Sequence, residues 1–141
     1  RDSLDRYPPQ FSGGQRQRVW VAMVLAQQTP MLLLDEPTTY LDIAHQIELL
    51  ELLSALNARD GHTVVAVLHD LNHACRYASH IIAMRDGQIL AEGAPAEIIT
   101  ADLVEEAFGL PCIIIEDPLA KTPMVIPRGS IPHAEPQPAQ T

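Results

Sequence analysis

The chain has 141 residues, 47% of them hydrophobic and only 4% aromatic, and a formal net charge of −9. That length suits one domain, with a core of Leu, Ile, Val and Ala such as parallel strands under helices provide. The acidic balance argues against nucleic acid, which needs a basic face, and against direct docking on an anionic membrane surface; no apolar run nears the ~20 residues of a spanning helix.

Residues 1–10 are polar, and Pro8 and Pro9 stop any helix there. Phe11 to Arg18 then read FSGGQRQR. Ser12 can donate from its hydroxyl, and Gly13 and Gly14 let backbone N–H groups come close to an anion. Ser12 also suits the N-cap of a helix over residues 15–28, whose positive end points at whatever Ser12 holds. Val19, Val21, Ala22, Val24 and Leu25 cover more than one face of that helix, so burial on several sides is expected. Thr29 and Pro30 end it. Residues 31–34 are a continuous apolar run, the mark of a strand covered on both faces. It ends in Asp35, Glu36 and Pro37, two carboxylates where a strand emerges, a placement that suits Mg²⁺ coordination and activation of a water.

Asp42 can cap a helix over residues 43–59, with Ile43, Ile47, Leu50, Leu53 and Leu56 at helical spacing. Asp60 and Gly61 turn the chain. Residues 63–68 (TVVAVL) read as a second buried strand with His69 at its carboxyl end, and Asp70 caps a helix through Tyr77. Residues 81–84 and 88–91 flank Asp86 and Gly87, a hairpin signal. Two short helices (95–100 and 101–108) and a strand (112–116) follow. From 128 to 141, Pro132, Pro136 and Pro138 stand among polar and small residues, so a disordered tail is expected after a folded part spanning 1–127. Cys75 and Cys112 form no CxxC and read as reduced core thiols. The order strand, helix, strand, helix predicts an α/β fold with a mainly parallel sheet flanked by helices, its active edge at the carboxyl ends of the strands, where Asp35, Glu36 and His69 fall.

FSGGQ and, downstream, MLLLDEP, TYLD and His69 resemble the signature motif, Walker B strand, D-loop and switch histidine of the ATP-binding subunits of ABC transporters. The resemblance runs from about Leu4 to Ile126. VWVAMVLAQ, HDLNHACRYASH and LPCIIIEDP are similar to the ATPases that drive ferric-siderophore import; cobalamin and haem importers use closely related ATPases. Phe11 stands where the family usually has Leu, which implies altered packing and not lost phosphate binding. The resemblance implies a P-loop NTPase-like fold with ATP and Mg²⁺ as ligands. It gives Asp35 to Mg²⁺, directly or through water, Glu36 to the general base, and His69 to a bridge between γ-phosphate and attacking water. Ser12, Gly13, Gly14 and Gln15 then bind the γ-phosphate held by an opposite subunit, and Asp42 reaches across the same dimer. Arg16 and Arg18 read as structural or interface charges, Tyr40 as interface packing, and His45, His62, His73, His80 and His133 as solvated.

The P-loop string GxxxxGK[ST] occurs nowhere in the chain. The family places it upstream of the signature, so residues 1–127 resemble the C-terminal portion of a cassette that opens at the end of its helical subdomain. The chain alone is then expected to bind ATP poorly and turn over none. The implied partners are a second ATPase subunit, transmembrane permease subunits and, indirectly, an extracytoplasmic substrate-binding protein, at the cytoplasmic face of a bacterial inner membrane. Two rivals stand beside this: a soluble ABC ATPase acting on nucleic acid or ribosomes, and a non-catalytic module that presents its signature face to an intact subunit.

Overall fold

The computed structural model describes residues 30–129. The chain divides at Ala78 and Ser79 into two compact units. The stretch 15–28, the signature residues and the tail beyond Gly129 lie outside the described residues.

The first unit is a β-α-β-α run. Strand β1 (Met31–Asp35) leads through a turn to helix α1 (Ile43–Asp60), strand β2 (Thr63–Val67) and helix α2 (Leu71–Tyr77). Asp42 caps α1 by accepting the His45 N–H at 2.9 Å. Gly61 ends the helix at φ 69°, a left-handed value that glycine adopts without a Cβ penalty. The helix can therefore stop sharply, and β2 starts two residues later. β1 and β2 pair in parallel, Met31 opposite Thr63 and Asp35 opposite Val67. Leu49, Leu53 and Leu56 of α1 form the core, with Leu32, Leu34, Leu41 and Val64 packed on it. Each such side chain contributes roughly 1.5–3 kcal/mol when fully buried.

Both strands were expected to be covered on two faces. Among the described residues only one face is covered, because α1 packs on Leu32, Leu34 and Val64. Met31, Leu33, Val65 and Val67, on the alternate face, are exposed. Strand side chains point to opposite faces with period two, and among the described residues it is the inward set that meets α1.

The second unit is antiparallel. Strands β3 (Ile81–Arg85) and β4 (Gln88–Gly93) form the expected hairpin, with Asp86 at φ 51° and Gly87 at φ 77°. Two successive positive φ values are those of a type I′ turn, whose twist matches the strands. Helices α3 (Pro95–Ile98) and α4 (Ala101–Phe108) follow. Thr100 caps α4 by accepting the Leu103 N–H, and Gly109 ends it at φ 64°. Strands β5 (Cys112–Glu116) and β6 (Pro123–Pro127) pair antiparallel. Their turn is held by buried Asp117, whose carboxylate accepts the Leu119 and Ala120 N–H groups. Val104, Ala107, Cys112 and Val125 are buried. The molecule is α/β, as the element order predicted. Among the described residues β1 and β2 pair in parallel, and the pairs β3–β4 and β5–β6 are antiparallel.

Candidate active site

The parallel register puts the ends of β1 and β2 side by side. Glu36 follows β1 directly and extends the ladder by one step, its N–H donating to the Val67 carbonyl at 3.2 Å. His69 lies two residues beyond Val67. The two side chains meet there, with His69 Nε2 at 2.5 Å from Glu36 Oε1. His69 is 73% exposed and Glu36 43%, so water reaches both. A hydrogen bond from His69, then the positive charge of its imidazolium, hold the Glu36 carboxyl below the usual carboxylate range. The Thr39 hydroxyl adds a longer contact, 3.4 Å to Oε2. Glu36 sits at φ 50°, in the left-handed region that a residue with a Cβ rarely adopts.

The chemistry this permits is specific. A carboxylate held ionised at neutral pH and open to water can accept a proton, and an imidazole fixed against it can orient a polar group nearby. The lowered pKa makes Glu36 a somewhat weaker base, and a carboxyl in the ordinary range is already ionised at neutral pH.

Asp35, at the end of β1, is on the exposed face with Met31 and Leu33. Among the described residues no three His, Cys, Asp or Glu side chains are grouped to hold a metal ion. One exposed carboxylate still fits Mg²⁺ of the kind that keeps its waters and takes further oxygens from a substrate phosphate. Asp42 combines its capping bond with a 2.7 Å contact from His45 Nδ1. The His45 backbone N–H, more than the imidazole, holds the Asp42 carboxyl below its ordinary range.

Known proteins carry similar sequences. A family model described as "ABC transporter" matches residues 1–39, which span the FSGGQ and MLLLDEP strings. The ferric enterobactin transport ATP-binding protein of Escherichia coli is 67% identical over 119 residues, covering 84% of this chain and 44% of that protein. A probable siderophore transport system ATP-binding protein of Bacillus subtilis is 57% identical over 128 residues, 91% of this chain and 46% of that one. The chain belongs to the ABC transporter ATP-binding family.

The fold agrees with the family. A chain of an ABC transporter solved in an inward-facing conformation superposes with a TM-score of 0.73 at 29% identity, over 84% of this chain and 48% of that one. The present chain thus spans slightly less than half the length of these ABC relatives. No helix among the described residues is long and apolar enough to cross a membrane.

Of the residues singled out from sequence, the structure brings Glu36 and His69 together and places Asp35 and Asp42 on either side of the intervening turn. Ser12, Gly13, Gly14 and Gln15 lie outside the described residues, as do Arg16, Arg18 and His133. Tyr40 is exposed on the turn. His45 and His73, read as solvated, instead face the carboxylates of Asp42 and Asp70 at the starts of their helices. Sequence reasoning took Thr39 only as the first residue of TYLD and passed over Gln46. Gln46 Nε2 donates to the carbonyls of Thr38 and Leu41, at 3.1 and 3.0 Å. The only available signal was its position in the first turn of a helix that follows a loop.

Proposed function

We propose that this chain carries the hydrolytic carboxylate, switch histidine and signature segment of an ATPase that powers import of a ferric siderophore, or of a related iron, haem or cobalamin chelate. The observation that carries this reading is the contact between Glu36 and His69 at the paired ends of β1 and β2. The siderophore assignment draws support from the two relatives above, one a ferric enterobactin transport and the other a probable siderophore transport ATP-binding protein.

Glu36 accepts a proton from a water as its oxygen attacks the γ-phosphorus of ATP. The bond from that phosphorus to the bridging oxygen breaks, and ADP and inorganic phosphate leave. His69 holds the Glu36 carboxylate and orients the γ-phosphate side of the water; such positioning is the main resource of phosphoryl transfer. Asp35 holds Mg²⁺, which supplies charge neutralisation on the phosphates. Ser12, Gly13, Gly14 and Gln15 bind the γ-phosphate of an opposite subunit, and Asp42 contacts that subunit. Two copies act on transmembrane permease subunits from the cytoplasmic face of a bacterial inner membrane, with an extracytoplasmic protein delivering the chelate. A P-loop must come from elsewhere, because none of the 141 residues forms one; the chain by itself turns over no ATP.

The test is a chimera in which this chain replaces the matched residues of the E. coli ferric enterobactin ATP-binding protein. Hydrolysis and ferric enterobactin uptake should be retained. Glu36→Gln in the chimera should abolish turnover while ATP still binds, since a positioned base typically gives about 10²–10⁴-fold. A chimera that binds its permease but hydrolyses nothing would support the non-catalytic module instead. Turnover that survives Glu36→Gln would place the base elsewhere.

A further inference from the structure

We infer that Gln46 is a positioning residue for the Glu36 carboxylate, because its side-chain amide fastens the turn between β1 and α1 onto the first turns of α1. This rests on the reading of Glu36 as the base.

The turn has little of its own to hold it. Thr39 N–H donates to the Glu36 carbonyl and Leu41 N–H to the Thr38 carbonyl, each at 3.2 Å, the long end of the range for such bonds. Yet Glu36 keeps a φ of 50°, a conformation that persists for a residue with a Cβ only where its surroundings over-determine it. On the strand side Glu36 is held by its N–H on the Val67 carbonyl and by His69; on the turn side Gln46 supplies a further restraint. Its single amide nitrogen carries two hydrogens, and two carbonyls face it, those of Thr38 and Leu41. Both donors are used, and because both partners can only accept, the NH₂ end must face the turn. Gln46 is itself anchored, its backbone N–H donating to the Asp42 carbonyl at 2.9 Å, on a helix whose Leu49, Leu53 and Leu56 form the core.

Thr39 lies between the two fastened carbonyls. It touches Glu36 twice, through its N–H on the Glu36 carbonyl and its hydroxyl on Oε2. The core helix therefore reaches the reacting carboxylate through Gln46, the Thr38 and Leu41 carbonyls, and Thr39. Glu at position 46 would set a carboxylate against two carbonyl oxygens. Leu would fill similar space and donate nothing.

Two measurements test this. In the 141-residue chain, Gln46→Leu should speed amide hydrogen exchange at Thr39 and Leu41 by about tenfold and leave Leu53 and Leu56 unchanged, because opening is then local to the turn. In the chimera, Gln46→Leu should lower kcat about tenfold, with KM for ATP changed less than about twofold, since small misplacements of a reacting group act on rate. Gln46→Glu should be as slow at neutral pH, and its deficit relative to the parent should narrow as pH falls, because a protonated carboxyl can again donate to a carbonyl. Unchanged exchange at Thr39 and Leu41 would overturn the inference, as would equal acceleration along α1, parental kcat, or a Gln46→Glu deficit that ignores pH. If the unsubstituted chimera hydrolyses nothing, the proposed function has failed, and the exchange measurement alone decides whether Gln46 holds the turn.

Discussion

Glu36 and His69 stand 33 positions apart in the chain and 2.5 Å apart in space. Neither is on a strand. Each is the first or second residue past one, and the in-register pairing of Asp35 with Val67 makes those two exits neighbours. The contact depends on a short segment of backbone pairing, so its strength can be probed from either side chain.

Replacing His69 by Ala should raise the titration midpoint of the Glu36 carboxyl toward the ordinary range, because the two largest causes that lower it, a hydrogen bond and a charge, come from His69, with the Thr39 hydroxyl adding less. The sign for stability follows from linkage. A carboxyl whose folded pKa is depressed contributes stability above its unfolded pKa, near ~4.3 for Glu, and that contribution drains away as pH falls through the lower folded value. Carbon NMR of the labelled Glu36 carboxyl in the 141-residue chain gives the midpoint directly. A midpoint unmoved by the substitution would mean that the pair does not form in solution.

The two faces of β1 and β2 predict opposite outcomes for the same deletion. Leu53 is 7% exposed in the core beneath the strands, whereas Leu33 is 72% exposed on the other face. Leu53→Ala should cost about 2–5 kcal/mol in urea unfolding of this chain. Leu33→Ala should stay within about 0.5 kcal/mol of the parent. Similar costs at both sites would show that the outer face is covered in solution.

Both thiols should be silent in the folded chain. Cys75 is fully buried and Cys112 is 5% exposed. Burial pushes both thiols up, helped by the negative charges of Asp70 at Cys75 and Glu105 at Cys112. A raised pKa removes the reactive thiolate. A disulfide reagent should release colour slowly at neutral pH and reach two equivalents per chain after denaturation. Fast reaction at either site in the native chain would contradict this placement.

The second unit offers a local test. Thr100 caps α4 through its hydroxyl, which accepts the Leu103 N–H at 3.1 Å. Thr100→Ala should cost roughly 0.5–2 kcal/mol, and Thr100→Ser should recover most of it, because Ser caps as well as Thr. Thermal unfolding followed by circular dichroism separates the two. Equal losses would mean that the Thr methyl, and not the cap, is what matters.

Much of the local structure was legible because its causes are local. Asp42 and Asp70 announced the starts of α1 and α2 through side chains that accept their own helix's N–H groups. Gly61, with Asp60, marked the turn at the end of α1, which needs a left-handed residue. Asp86 and Gly87 specified their hairpin. Glu36 and His69 were legible as separate residues, each placed at the end of an apolar run.

What the sequence determined, then, was the set of elements, their caps and turns, and the candidate chemistry at the strand exits, all encoded within a few residues of where they act. The tertiary structure alone decided three things. It set the register that joins Glu36 to His69, since pairing is a property of two segments and not of either one. Among the described residues it put Leu32 and Leu34 against α1 and Met31 and Leu33 on the other face, because which side of an apolar strand a helix meets depends on where that helix lands. And it folded Gln46 back onto Thr38 and Leu41, a contact that exists only once α1 is anchored in its core and the turn is drawn across its first residues.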